Sequence, residues 1–421
     1  MEDKNKVNNQ SVIIRINSIE TKDNINDKKI YLIILCLIAI IYFAIVISTE
    51  FAYRNRLFEK SIEYQEDLRE KYDKKSAFYN CWKFFSFFGT NTFCLAIFFV
   101  IFIFFPLNSS FLVLQTLNFS NYLTNLLKMI YQNPRPYWRS DILDIVCNSG
   151  YGNPSGHSLV CLSNFLVISH IFTNFEFFRK SQKGKILRIV IFSFLIILAF
   201  LVIISRTLLS AHSINQIIYG SLLGIGIYFL EIYIISYHTY SSEEFIKHII
   251  NKNVVIIYSI IYAVLIILLL IIYFSIDDDK YIKKLIYNKI FNGKRCDRKR
   301  KFQLLKNDGF TQSLAITSIV GAHLGIILLL YVLKKLKYKI DYINEFNRSS
   351  IKRWFIRLPI LIVSGIFLIL YYVIPKSSPL GVIILFKFAV PFFLTAFCIH
   401  FIGIFICIYF NFANENIIKI N

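Results

Sequence analysis

Apolar residues in this chain come in long unbroken runs rather than in the one-sided stripes of a soluble helix. Ile30–Thr49, Leu187–Ser205, Ile214–Ser236, Val254–Ile276 and Leu314–Leu333 are such runs, as are His157–Phe175, Phe355–Ile374 and Val382–Phe410. A segment that is hydrophobic all round and about 20 residues long suits a helix crossing the hydrocarbon of a bilayer. Cys94–Leu107 is short alone and reaches that length when Phe85–Asn91 is added. Phe111–Ile130 is less apolar, yet long enough, and runs straight into a basic motif. The pattern predicts an all-α, polytopic transmembrane helix bundle of about ten spans.

Composition agrees with that class and decides how charge is read. Of 421 residues 56% are hydrophobic, with 42 Phe and 26 Tyr, which is far too apolar for an ordinary soluble chain. The net charge of +21 would raise nucleic acid as a partner in a soluble protein. Here the lysines and arginines lie in connections between spans, as at Thr173–Leu187 and Lys334–Arg353, so the bilayer is the partner expected and nucleic acid is not. The positive-inside rule places those two connections and the N-terminus in the cytosol. The basic run 294–301 falls on the other side, inside the long segment 277–310, where the rule is weak. Residues 1–29, charged and Asn-rich, read as a disordered cytosolic tail, and residues 30–78 as an N-terminal span followed by a charged interfacial segment. Eight scattered cysteines show no metal-ligand spacing, so no metal site is expected; Cys81, Cys147 and Cys296 would share the non-cytosolic side, where a disulfide stays open.

Three polar motifs interrupt the apolar pattern, and the predicted topology brings all three to one membrane face. The first is Lys128-x6-Arg135-Pro136, where prolines 134 and 136 stop a helix and leave Arg135 in the turn. The second is Pro154-Ser155-Gly156-His157, a small-residue turn opening a helix, whose free N–H groups and dipole favour an anion. The third is Ser205-Arg206-x5-His212, with Gln216 one helical turn beyond. Singly, these are interfacial anchors, an N-cap or a cation at a span's end. Jointly they supply three cations for a phosphate dianion and two imidazoles for covalent phosphoryl transfer. No acidic cluster is present to hold Mg²⁺, so no cofactor is expected.

These motifs resemble the three-part signature of the type 2 phosphatidic acid phosphatase superfamily, complete at every position. Within it the chain is most similar to the glucose-6-phosphatase family, through "RPYW" at 135–138, "CNSGYGNPSGH" at 147–157, "AHSINQ" at 211–216, "RWFIRL" at 353–358 and "FKFAVPFF" at 386–393. The resemblance implies that His212 is the nucleophile and His157 the proton donor. It implies that Lys128, Arg135, Arg206 and the backbone at Ser155 and Gly156 bind the phosphoryl group. Gln216 would orient the nucleophile, without the charge of the Asp many superfamily members place there. It further implies a catalytic core at 79–240, C-terminal helices at 241–421, and an endoplasmic reticulum membrane protein whose site faces the lumen. The substrate class implied is a small phosphate ester, glucose 6-phosphate foremost. A lipid phosphate phosphatase of the same superfamily is the alternative, favoured by the extra N-terminal span; a phosphate-binding transporter is a more distant one. Outside the motifs, His170, His323 and His400 are expected to bond between helices, and Gly220 and Gly224 to form a close-packing face.

Overall fold

The computed structural model describes residues 3–73, 75–140, 142–143, 150–174, 182–235, 245, 248–249, 251–277, 305–336, 351–375 and 379–406. Among the described residues the regular structure is helical, without a strand. Helix α1 covers Asp3–Lys71. It therefore includes residues 3–29, expected as a disordered tail, because each residue added to an established helix gains a hydrogen bond at little cost. Helices α2 (Ala77–Phe87) and α3 (Asn91–Phe104) follow, bent by 44° at their break. Then come α4 (Leu107–Tyr131), the single turn α5 (Pro136–Arg139), α6 (Gly156–Asn174), α7 (Gln182–Leu208) and α8 (Ile214–Phe229). The C-terminal half holds α9 (Lys252–Ser275), α10 (Leu305–Ser313), α11 (Thr317–Lys335) and α12 (Ile351–Gly365). It ends in α13 (Ile369–Val373), α14 (Leu380–Val382) and α15 (Val390–Cys398), the last two joined by a π-helical stretch at Ile383–Ala389.

Seven of the described helices are long and apolar enough to cross a membrane, or eight when the bent pair α2–α3 counts as one span. That is fewer than the ten or so expected, and two segments account for the difference. Helix α4 is long enough, but it buries Ser110, Gln115, Asn118, Ser120, Asn121, Thr124 and Asn125. It is a helix of the bundle interior, polar because neighbouring helices and a cavity, not lipid, surround it. The run at 355–374 passes from α12 through a 3-10 turn into α13, and its apolar part within the described residues is Arg357–Tyr371.

Helices α4, α6 and α7 pack around one core that includes Phe165, Ile168, Ala199 and Val202, and α8 joins α6 through a second cluster of Leu159, Val160, Leu223 and Ile227. Gly220 and Gly224 let the backbone of α8 approach α6, as expected: a Cβ on Gly220 would stand 2.6 Å from Ser155 O, and one on Gly224 2.8 Å from Leu159 O. The C-terminal stretches of the resemblance bring two buried cations to helix ends. Arg357 donates to Phe102 O, Ile103 O and Phe105 O at the end of α3, and Lys387 to Tyr371 O and Ile374 O at the end of α13. Of the three outlying histidines, His323 bonds between helices, to Tyr262 Oη at 3.3 Å. His400 bonds Ala396 O one turn back, and His170 bonds Asn174 Nδ2 within α6 while its ring meets Tyr228 of α8 edge-on. Cys147, Cys296 and the run 294–301 lie outside the described residues, and Cys81 is a free thiol.

Candidate active site

The three motifs meet because each sits where a helix ends or begins. Lys128 lies in the last turn of α4, which Gln132 closes in the left-handed conformation, φ 48°. The chain then turns through the prolines and presents Arg135 just before α5. His157 is the second residue of α6, and Arg206 lies in the last turn of α7. Ser210, also left-handed at φ 53°, swings the chain back so that His212 precedes α8. Lys128, Arg135, Gly156, His157, Arg206 and His212 all line one cavity of about 230 Å³.

Hydrogen bonds fix the tautomer of His212. Its Nδ1 lies 2.8 Å from Gly152 O and 3.2 Å from Gln216 Oε1, both acceptors, so Nδ1 carries the hydrogen. Its Nε2 lies 3.1 Å from a guanidinium nitrogen of Arg135, which can only donate, so Nε2 presents a lone pair. Burial holds the His212 imidazole well below the usual histidine range, and the charges of Arg135, Arg206 and Lys128 lower it further. The ring is neutral at physiological pH, as a nucleophile or base must be.

Arg135 is buried and oriented from two sides: Nε donates to Gly150 O at 2.5 Å and Nη1 to Ala211 O at 2.9 Å. Arg206 is equally buried, donates to Ser86 Oγ, and keeps an Nε without a hydrogen-bond partner among the described residues. Lys128 Nζ stands 3.6 Å from the place a Cβ on Gly156 would occupy. Among the described residues no carboxylate lines the cavity beside these three cations. Buried positive charge favours an anion, and a phosphoryl dianion would neutralise two of the three charges. Among the described residues no three His, Cys, Asp or Glu side chains converge as metal ligands.

Ser155 and Gln216 make contacts beyond those expected of them. The Ser155 N–H, expected to face phosphate, donates instead to Gln216 O at 2.9 Å, and the Ser155 hydroxyl bonds Ser158. The donors left for an anion are the N–H groups of Gly156 and His157, which start α6 and have no partner among the described residues. Gln216 does touch His212, but Gly152 O is the shorter contact. Gln216 Nε2 is anchored on Pro134 O at 2.8 Å, so the amide ties the first motif to the third.

Residues 109–240 match the PAP2 superfamily. No curated protein and no solved structure matches the chain. The PAP2 superfamily is a phosphatase family and the matched stretch contains all three motifs, which suggests phosphatase activity on phosphate esters. Five cavity residues outside the PAP2 domain escaped the sequence reading. Gly89, Thr90 and Asn91 come from the α2–α3 break, Gly309 and Gln312 from α10. Ser86, which holds Arg206, also precedes the domain. A lone serine or glycine in an apolar run carries no sequence signal; only spacing relative to the motifs in space reveals them.

Proposed function

We propose that this protein hydrolyses a sugar phosphate, glucose 6-phosphate foremost, through a phosphohistidine, without a metal ion, in the endoplasmic reticulum membrane with its site facing the lumen. His212 Nε2 attacks phosphorus as the ester P–O bond breaks, and His157, entering as the imidazolium, gives its proton to the leaving oxygen and becomes neutral. A water then loses a proton to His157 and attacks phosphorus, and the P–N bond returns its electron pair to Nε2. Lys128, Arg135 and Arg206, with the N–H groups of Gly156 and His157, stabilise the equatorial oxygens in the transition state.

The observation that carries the sugar is the uncharged polar part of the cavity lining. Asn121, Thr124 and Asn125 on α4 and Gln312 on α10 supply it, and Thr124 Oγ1 is buried without a partner among the described residues. Sugar hydroxyls both donate and accept, so they satisfy such groups. An acyl-bearing leaving group would dehydrate them without return, at about 1–3 kcal/mol for each group left unpaired. The test is phosphate release in EDTA from microsomes expressing the chain, comparing glucose 6-phosphate with phosphatidic acid, with His212→Ala as blank. Sugar-phosphate hydrolysis that vanishes in His212→Ala supports the reading. A preference for the lipid refutes the sugar assignment, and activity retained by His212→Ala refutes the mechanism.

A further inference from the structure

The PAP2 domain begins at residue 109, yet an element well before it touches all three of its motif turns. Along the second half of α1, Glu50, Phe58, Ser61, Ile62 and Gln65 are buried, and their spacing of eight, three, one and three places them on one face of the helix. Phe58 and Ile62 form an apolar cluster with Tyr137, Trp138, Leu143 and Tyr151, which flank the first and second motifs. Glu50 Oε1 accepts from Asn153 Nδ2 at 2.8 Å, immediately before Pro154. Gln65 Nε2 donates to His212 O at 2.9 Å. Ser61 Oγ accepts from Ile214 N, also at 2.9 Å.

Gln65 and Ser61 thus grip the two backbone groups on either side of Ser213. Ile214 N belongs to the first turn of α8, where no carbonyl of its own helix can reach it. A helix docked for stability alone would bury apolar side chains; burying Glu50, Ser61 and Gln65 carries a desolvation cost that their partners in the catalytic turns help to offset, beside Arg54 and Leu57 O within α1 itself. The apolar pair supplies docking, and the polar three set register.

We propose that residues 50–65 of α1 are a positioning clamp for the PAP2 site. Gln65 and Ser61 aim His212 in line with phosphorus, and Glu50 holds the turn that carries His157. The proposal rests on the phosphatase reading above.

The test uses the full chain in detergent, with p-nitrophenyl phosphate hydrolysis and vanadate inhibition measured on Gln65→Leu, Ser61→Ala, Ser61→Thr and, as control, Glu63→Ala, an exposed position of α1. In Gln65→Leu and Ser61→Ala, kcat is expected to fall by about ten- to a hundredfold, as for loss of in-line geometry. KM and the vanadate inhibition constant should stay within about threefold, because the cations that bind phosphate are untouched. Ser61→Thr, which keeps the hydroxyl, should recover most of the loss, and Glu63→Ala should match the wild type. A kcat within about twofold of wild type in both variants, per vanadate-binding site, overturns the clamp even where thermal stability drops. So does a Ser61→Thr no better than Ser61→Ala. A wild type that binds vanadate but releases no phosphate overturns the phosphatase reading, and the clamp with it.

Discussion

Replacing Gly89 by alanine adds one methyl group, and the structure says where it goes. Its Cβ would stand 2.5 Å from Val202 Cγ1, 3.1 Å from His157 Cδ2 and 3.2 Å from His157 Cβ. Carbon atoms rest at about 3.5–4.0 Å, so the intrusion is about 1 Å at Val202 and a few tenths of an ångström at His157. Val202 is buried on α7 and, being β-branched in a helix, has one favoured rotamer, so it cannot turn aside. The strain is relieved where the structure gives, at the α2–α3 break or at the His157 ring. Overpacking of this size costs about 1–3 kcal/mol, and displacing a reacting group by about 1 Å costs about a hundredfold in rate. Gly89→Ala is therefore expected to lower both thermal stability and kcat. The double variant Gly89→Ala/Val202→Ala removes the worst contact and leaves the one at His157, so it should regain stability while kcat stays low. Melting in detergent and turnover of the same ester measure the two separately. A Gly89→Ala enzyme with wild-type kcat would sink the argument that this glycine makes room for a catalytic imidazole.

Two further outcomes follow from the site. Arg135→Lys replaces a fork that reaches Gly150 O, Ala211 O and His212 Nε2 with a single nitrogen, leaving at least one buried carbonyl unpaired at about 1–3 kcal/mol. Its kcat/KM should fall by at least about a hundredfold, and a lysine enzyme near wild-type turnover would show that the fork is dispensable. His212 is held neutral when folded, whereas the unfolded chain takes up a proton near the ordinary histidine value, so the unfolded state binds more protons. Its effect is absent above that pH, and stability falls as pH drops below it. The melting temperature should decline less steeply with acid in His212→Asn than in wild type, and parallel slopes would contradict a buried neutral ring.

Convergence of Lys128, Arg135, His157, Arg206 and His212 was readable in the sequence because each lies beside a helix end that prolines, a small-residue turn or a hydropathy boundary already marks. What the sequence could not show were bonds to the backbone. Gly152 O as the partner of His212, and Gln216 O as the partner of Ser155, belong to peptide groups that every residue carries. Helix α4 reads as a weak span for a related reason: Asn121, Thr124 and Asn125 lower its hydropathy because they face a cavity, and one chain of letters does not say which way a helix faces. In α1 the error ran the other way. Six acids and seven bases between Arg54 and Lys75 read as a solvated surface, while Ser61 and Gln65, polar themselves, left no apolar stripe to betray a buried face.

The turns that begin α6 and α8 are bonded to each other directly, through His212 Nδ1 to Gly152 O and Ser155 N to Gln216 O. The covalent route between the same two turns is long. It leaves through the 19 residues of α6, about 28 Å at the usual rise, and returns through the 27 of α7. The separation of the two imidazoles is thus set by a short non-covalent link and is indifferent to the path the chain takes elsewhere. Insertions, or even a nick, at the far ends of those helices could accumulate over evolutionary time while the reaction centre stayed the same. What inheritance has to conserve here is a handshake between two loops, not the thread that joins them.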